Sequence, residues 1–271
     1  MSGKRQSGFA PSDGARLYYE TSGSGEPLVL VHAGIADRRM WDGQLATFAR
    51  RYRMIRYDMR GFGRSAMVEG PFSHHEDLRA LLDSLGIERA FLVGCSIGGR
   101  AIIDFTLEHP ERVRALVPVG SALSGFDAGE DPPEQWEELV AAENAGDLGR
   151  VSALEVRIWV DGPYRGPDGV DSGVRDLVAE MNLIALKNEV SGLGDERPLE
   201  PPAVNRLAEI HVPTLVIVGD LDRPEIIEAA DLLQLRIPRA RRVVIPGTAH
   251  LPNMERPQGF NRVVLGFLEG L

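Results

Sequence analysis

Six almost continuously apolar runs, rich in β-branched residues, recur along the chain and restrict its fold class more than any other feature. The runs are PLVLVHA, YRMIRYD, AFLVGCS, VRALVPVG, PTLVIVGD and RRVVIPG. A strand with one face in water alternates apolar and polar residues, and these runs do not follow that pattern. Strands of this kind are buried on both faces, as in a parallel sheet that helices cover on each side.

Helical patterns lie between most of these runs. Residues 73–86 place four leucines on one helical face. Ser73 is a predicted N-cap with Glu76 at the capping-box spacing, and Gly86 is predicted to end the helix. Pro224 stands in the first turn of another predicted helix. Alternating strands and helices predict an open, mostly parallel α/β sheet with helices on both faces.

Two segments depart from this alternation. Extended residues near Gly8 and over 15–21 flank the turn-forming letters PSDG and predict a hairpin. Between about residues 121 and 205 there is no strong strand pattern, and helical patterns dominate. We therefore expect a sheet-forming core from residues 1–120 and 206–271, with residues 121–205 as a helical cap insertion.

The charge balance is acidic, with 30 basic and 40 acidic residues and a formal net charge of −10. This excess argues against nucleic acid or an anionic membrane surface as the main partner. No apolar run approaches the ~18 residues of a membrane helix, and the first residues lack the apolar stretch of a signal peptide. We therefore expect a cytoplasmic protein. The single cysteine, Cys95, excludes a disulfide framework within the chain and a cysteine-based metal cluster.

Two features could suggest a metal or a phosphate, and neither pattern is complete. His74 and His75 stand at a helix start with no further His or Cys at ligand spacing, so we expect both to be solvated. The glycine-rich letters RGFGRS lack the lysine of a phosphate-binding loop and predict a structural turn. We expect no metal and no cofactor.

A serine between glycines ends the third apolar run. Gly94-Cys95-Ser96-Ile97-Gly98 joins a predicted strand to a predicted helix. In a sharp strand–turn–helix elbow such a serine is strained, and its hydroxyl projects above the sheet edge near the positive end of the helix. A serine that only caps the helix fits the same letters. The motif alone leaves both interpretations open.

Two other strand ends carry the side chains that a nucleophilic serine needs. PTLVIVGD runs into Asp220 and Asp222, and RRVVIPG is followed by His250. The order serine, aspartate, histidine, each just past a strand end, brings three side chains to one edge of the sheet. An imidazole activates a hydroxyl, and a buried carboxylate fixes the tautomer of that imidazole. The sequence predicts Ser96 as nucleophile and His250 as base, with one of the two aspartates as the acid.

The chain resembles the α/β-hydrolase fold family over nearly its whole length. The matching segments are LVLVHAG, YDMRGFGRS, GCSIGG, GDLDRP and GTAHLPNMERP. In this family the acid usually lies three residues after the glycine that ends the strand, which is Asp222 when counted from Gly219. Asp220 is the alternative. Some members carry the acid one strand earlier, where Asp127 is the candidate.

The resemblance also implies an oxyanion hole. Its two backbone N–H donors would be those of Gly34 and Ile97. The family usually has glycine where this chain has Ala33, which is a departure in the loop before Gly34. We expect His32 to be a buried histidine that stabilises this turn.

The substrate pocket is expected from aromatic residues near the oxyanion loop and in the cap. The candidates are Trp41, Trp159 and Tyr164, and packing within the protein is the alternative for each. The arginines that could face a substrate carboxylate are Arg157, Arg165 and Arg175, although no pattern selects them.

A serine at the elbow departs from the branches of this family that use aspartate there to displace halide or open epoxides. The resemblance implies a cofactor-free, carboxylesterase-like serine hydrolase that cleaves esters of small to medium acyl substrates through an acyl-enzyme. One alternative is an enol-lactone or C–C bond hydrolase of aromatic degradation. Another is a receptor-like module that binds a ligand on the same scaffold. We expect a small-molecule ester or lactone as partner, and a monomer or homodimer.

Overall fold

The computed structural model describes residues 5–129 and 132–271. Its strands are β1 (Gln6–Ser12), β2 (Ala15–Ser22), β3 (Pro27–Val31), β4 (Arg53–Tyr57), β5 (Pro71–Phe72), β6 (Ala90–Cys95), β7 (Val113–Val119), β8 (Asp195–Glu196), β9 (Thr214–Gly219) and β10 (Ala240–Ile245). Its α-helices are α1 (Asp42–Phe48), α2 (His74–Ser84), α3 (Ile97–Glu108), α4 (Trp136–Ala145), α5 (Leu148–Glu155), α6 (Ser172–Glu189), α7 (Pro224–Arg236), α8 (Pro252–Glu255) and α9 (Pro257–Leu268). Shorter turns of 3-10 or π-helix span Arg38–Trp41, Pro110–Arg112, Val156–Asp161, Pro167–Gly169, Ala203–Asn205 and Leu207–Glu209.

Within the described residues, eight strands form one sheet in the order β1-β2-β4-β3-β6-β7-β9-β10. The pairs β1–β2 and β2–β4 are antiparallel, and the remaining neighbours are parallel. Strands β6 and β9 are buried at every position, as their continuous apolar runs predict. The mostly parallel sheet and the predicted hairpin are therefore confirmed.

Helices cover both faces of this sheet. On one face α2, α3 and α7 pack through fully buried residues such as Leu81, Ile102 and Leu233. On the other face α1 and α9 pack through Phe48 and Phe260. Burying one large apolar side chain contributes ~1.5–3 kcal/mol, so two such layers hold the strand ends in fixed positions.

The residues between β7 and β9 are mainly helical, as predicted. Helices α4, α5 and α6 share a small apolar cluster that includes Leu139, Leu154 and Leu186. The short strand β8 was not predicted, because both of its residues are polar and exposed. It forms by parallel backbone pairing with β5. The division of the chain into core and cap stays a prediction.

The predicted capping box at the start of α2 is wrong. Ser73 occupies the N-cap position, but among the described residues its side chain makes no capping hydrogen bond. The Glu76 carboxylate instead accepts a hydrogen bond from Arg79 at 2.7 Å, one turn along the helix. A charged partner within reach competes with a backbone N–H for the same oxygen atoms.

The part of the chain that is described contains no helix that is both long and apolar enough to cross a membrane. Within the same residues, no group of three His, Cys, Asp or Glu side chains is placed to hold a metal ion.

Candidate active site

Ser96 lies at the sharp turn between β6 and α3. Its backbone has φ 55° and ψ −119°, a conformation that residues other than glycine rarely adopt. Three backbone hydrogen bonds hold it there. Its N–H donates to Val119 O at 3.0 Å, and its carbonyl oxygen accepts from Arg100 N at 3.0 Å and Ala122 N at 3.2 Å. A serine that only caps a helix has a different, extended backbone.

The glycines around Ser96 are required by close packing. A Cβ atom on Gly94 would lie 2.3 Å from the carbonyl oxygen of Gly98. A Cβ atom on Gly98 would lie 2.4 Å from the carbonyl oxygen of His32. Both neighbours are backbone atoms and cannot move aside. The elbow is therefore set by contacts between β3, β6 and α3.

His250 follows β10 and faces Asp222, which follows β9. The Nδ1 atom of His250 lies 3.0 Å from Asp222 Oδ2 and 3.2 Å from Oδ1. Each of the two residues is 1% exposed. With Nδ1–H donated to the carboxylate, Nε2 of His250 is left as the basic nitrogen. Ser96 and His250 line the same cavity.

The other two candidate carboxylates lie elsewhere. Asp220 Oδ1 accepts a hydrogen bond from the backbone N–H of Gly247 at 2.7 Å, which joins the loops after β9 and β10. Asp127 is exposed and its Oδ1 accepts from Gly129 N at 2.9 Å in its own loop. Of the three carboxylates, Asp222 is the one that the structure brings to His250.

Gly34 and Ile97 both line the cavity beside Ser96. A Cβ atom on Gly34 would lie 3.4 Å from Cδ1 of Ile97, so the two residues adjoin. His32 is fully buried, as expected, and it connects two loops. Its Nδ1–H donates to Ala33 O at 2.8 Å, and its Nε2 accepts from Met59 N at 2.9 Å. Burial lowers the pKa of His32, which keeps this ring neutral.

A cavity of about 480 Å³ opens over Ser96 and His250. Trp159 covers one side, with its ring centroid 4.6 Å from that of His250. It lies in the π-helical turn Val156–Asp161, directly after α5. Further apolar walls come from Phe62, Met67, Phe72, Ala185, Leu186 and Leu193. A cavity of this size suits a small to medium ligand.

A family model described as alpha/beta hydrolase fold matches residues 26–257. The chain belongs to the α/β-hydrolase fold family. The matched range includes Ser96, Asp222 and His250 together with both predicted oxyanion donors.

Relatives in this family carry names for several reactions. A 2-hydroxy-6-oxononadienedioate/2-hydroxy-6-oxononatrienedioate hydrolase of Burkholderia vietnamiensis is 31% identical over 269 residues, which cover 93% of this chain and 91% of the relative. The 3-oxoadipate enol-lactonase 1 of Acinetobacter baylyi is 27% identical over 238 residues, 87% of this chain and 85% of the relative. The solved structure of an esterase from Rhodococcus sp. ECU1013 has a TM-score of 0.79 at 25% identity, covering 98% of this chain and 99% of that one. The shared fold does not by itself select one of these reactions.

The sequence analysis expected three aromatic residues to line the substrate pocket of this α/β-hydrolase. Two of them lie elsewhere in the structure. Trp41 is fully buried, and its ring lies 6.0 Å from that of Phe260 in the layer formed by α1 and α9. Tyr164 is 61% exposed and lies outside the described cavity walls. Trp159 does line the cavity. Aromatic residues outside a strict periodic pattern carry no local signal for the direction in which they point.

The three candidate arginines for a substrate carboxylate bind protein carboxylates instead. Arg157 and Arg175 both pair with the buried carboxylate of Asp161. Arg165 pairs with Glu255 at 2.6 Å. The described walls of the cavity include none of these arginines.

His74 is buried rather than solvated as predicted. It is 5% exposed, and its ring lies 5.3 Å from that of Phe72 in the cavity wall. Burial lowers its pKa to about 3, so the ring is neutral near pH 7. His75 is half-buried. The helix start had suggested exposure, but the rings of Phe62 and Phe72 pack against His74.

Five polar residues of the cavity were missed by sequence reasoning, namely Arg100, Glu155, Asn182, Glu189 and Glu196. Arg100 lies on α3 one turn after Ser96, and a charged residue in the otherwise apolar stretch IGGRAII was the signal that could have found it. Glu155 on α5 and Asn182 on α6 line the cavity from the predicted cap. No local pattern distinguishes these two from polar residues on an outer helix face.

Proposed function

We propose that this α/β-hydrolase cleaves carboxylic esters of small to medium acyl groups through an acyl-enzyme on Ser96, without a cofactor. The observation that carries the proposal is the buried Asp222–His250 contact, which opens onto the same cavity as the strained Ser96. A fixed imidazole tautomer beside a serine hydroxyl is the arrangement that acyl transfer needs.

In the proposed first half-reaction, His250 Nε2 takes the proton of the Ser96 hydroxyl as Oγ attacks the carbonyl carbon. The backbone N–H groups of Gly34 and Ile97 stabilise the negative oxygen, which forms at the N-terminus of α3. The tetrahedral intermediate then collapses, the C–O bond to the alcohol breaks, and His250 protonates the departing oxygen. Asp222 stabilises the imidazolium throughout.

In the second half-reaction, His250 takes a proton from water, and the resulting hydroxide attacks the acyl carbon. The bond to Ser96 breaks, Oγ recovers the proton from His250, and the carboxylic acid leaves. One water is consumed for each ester cleaved, so no oxidant, reductant or further group is required.

Hydrolysis of an enol-lactone or of a C–C bond is a second candidate. It is favoured by the likeness to the dienedioate hydrolase and to the 3-oxoadipate enol-lactonase, at 31% and 27% identity. The same serine, histidine and aspartate would serve. Comparing kcat/KM for simple aryl esters, an enol-lactone and a ring-fission product on the purified protein separates the candidates.

The first test is intact-mass spectrometry after treatment with a fluorophosphonate. We expect one adduct on the wild type, none on Ser96→Ala, and an unchanged adduct on Ser84→Ala, in which an exposed serine is removed. The proposal also requires that the wild type turns over at least one neutral aryl ester. If the wild type forms no adduct and binds an ester tightly without cleaving it, the receptor-like alternative replaces the proposal.

A further inference from the structure

Charged residues are distributed unevenly around the cavity. Three carboxylates line it, those of Glu155, Glu189 and Glu196. The basic side chains among its described lining residues, apart from the two histidines, are those of Arg60 and Arg100.

Both arginines are already bound to carboxylates. Arg100 Nη2 lies 2.5 Å from Glu196 Oε1, so these two charges compensate each other. Arg60 is 1% exposed, and its guanidinium donates to both carboxylate oxygens of Asp77, at 2.6 and 3.0 Å. Neither arginine presents a free cation to a ligand, and the carboxylates of Glu155 and Glu189 are left without a cationic partner among the described residues.

Glu155 occupies a defined position on the cap side of the cavity. Its Oε2 accepts a hydrogen bond from Asn182 Nδ2 at 2.6 Å, and Asn182 is 2% exposed. Within the described residues, Oε1 of Glu155 has no hydrogen-bond donor. Burial, followed by the charge of Glu189, raises the pKa of Glu155. The group is a fixed acceptor that disfavours a second negative charge.

We propose that the cavity selects substrates whose cap-side group is uncharged and donates a hydrogen bond, such as a primary amide or a hydroxyl. Substrates with a carboxylate there are rejected, and Glu155 is the specificity-determining residue. This inference rests on the proposed ester hydrolysis at Ser96. Glu155 acts on binding and takes no part in the acyl transfer.

The test uses two matched pairs of esters, because the charge can sit on either side of the scissile bond. The acyl pair is mono-4-nitrophenyl suberate and the 4-nitrophenyl ester of suberamic acid. The alcohol pair is the hexanoate of 4-hydroxybenzoate and the hexanoate of 4-hydroxybenzamide. Each pair exchanges a carboxylate for an amide of the same shape, and each rate is divided by the rate of hydroxide hydrolysis.

For the wild type at pH 8 and low salt, we expect kcat/KM to favour the amide by about tenfold or more in at least one pair. The preference should shrink as sodium chloride is added, because salt screens the repulsion. Glu155→Gln should raise kcat/KM for the carboxylate member and reduce the preference several-fold. Glu189→Gln, at an exposed position, should act in the same direction by a smaller factor.

Glu137→Gln is the matched control, because Glu137 is exposed on α4 and lies outside the described cavity walls. We expect it to leave the preference unchanged. Equal kcat/KM for both members of both pairs overturns the inference. A preference that neither Glu155→Gln nor Glu189→Gln changes overturns it as well. If none of the four esters is cleaved, the result counts against the proposed function rather than against this inference.

Discussion

The backbone of Ser96 has a conformation that costs a residue with a side chain ~1–3 kcal/mol. Packing of Gly94 and Gly98 against neighbouring carbonyl groups compensates for this strain, because the chain has no room to relax. The position of the hydroxyl is therefore determined by its neighbours rather than by the preference of serine. Rigid placement of this kind is what a nucleophile requires.

Single substitutions also test which of the two aspartates, Asp222 or Asp220, is the acid that supports His250. Asp222→Asn should lower kcat/KM for a neutral aryl ester by about 10³–10⁴-fold, since the amide has no charge to balance an imidazolium and its NH2 group can donate to Nδ1 of His250, which favours the wrong tautomer. Asp220→Asn should lower it less than about tenfold, because its remaining oxygen can still accept from Gly247 N. Steady-state kinetics at pH 8 measure both. Equal losses would contradict the assignment of Asp222 as the acid.

At the scale of elements, one ion pair connects the segment that carries Trp159 to the loop that carries His250. Arg165 donates to the carbonyl oxygens of Val160 and Asp161, each at 2.9 Å, and pairs with Glu255 on α8 at 2.6 Å. The other carboxylate oxygen of Glu255 accepts from Ala249 N at 2.8 Å, next to His250. Sequence reasoning had considered Arg165 for substrate binding, whereas its contacts give it a structural role.

Breaking this pair should be costly, because the Glu255 side chain is only 5% exposed. We expect Arg165→Met to lower the free energy of unfolding by about 3 kcal/mol. Combining it with Glu255→Gln should recover part of that loss, since no buried charge is then left without its partner. Urea denaturation of both single variants, the double variant and the wild type gives the coupling energy. Additive effects of the two substitutions would show that the pair is not coupled.

At the scale of the whole molecule, the sheet gathers three distant loops at one edge, and residues between β7 and β9 line the cavity beside them. His74 lies where these parts meet, 4.0 Å from Glu196 of β8 and beside Phe72 of β5. Its Nδ1 is buried and has no hydrogen-bond partner among the described residues. A neutral ring fits this position, and a protonated one does not.

The free energy of unfolding at acidic pH should reflect the burial of His74. The pKa of His74 in the folded protein is about 3, below the 6.5 of the unfolded chain, so the unfolded state binds an extra proton between these values. His74 therefore destabilises the fold as the pH falls below about 6.5, by about 1.4 kcal/mol per pH unit. We expect His74→Phe to flatten the fall in the free energy of unfolding between pH 6 and pH 4.

The measurement is urea denaturation across this pH range, with His211→Gln as control, since His211 is exposed. Burial raises the pKa of Asp104 to about 6, which acts in the opposite direction over the same range. The comparison is therefore between each variant and the wild type at the same pH. Parallel curves for His74→Phe and the wild type would contradict the prediction.

Much of the fold and part of the site could be predicted from local patterns. Continuous apolar runs predicted the central strands correctly, because burial on both faces leaves no place for polar residues. The elbow at Ser96 and the order of the three polar strand ends were also readable, since parallel strands bring their carboxyl ends to one edge. Trp41, Tyr164 and His74 were misplaced, because their exposure depends on elements distant in sequence.

The sequence by itself determined the strands of the eight-stranded sheet, the elbow, and the serine, aspartate and histidine that follow strand ends, since each depends on periodicity or on a few adjacent residues. The family resemblance favoured Asp222 over Asp220 as the acid, and the tertiary structure is what brings Asp222 into contact with His250, 28 residues away. The tertiary structure also decided that Arg165 binds Glu255, 90 residues away, and that Glu155 faces the cavity. Such contacts depend on how whole elements pack, and the energy of that packing is spread over side chains from many parts of the chain.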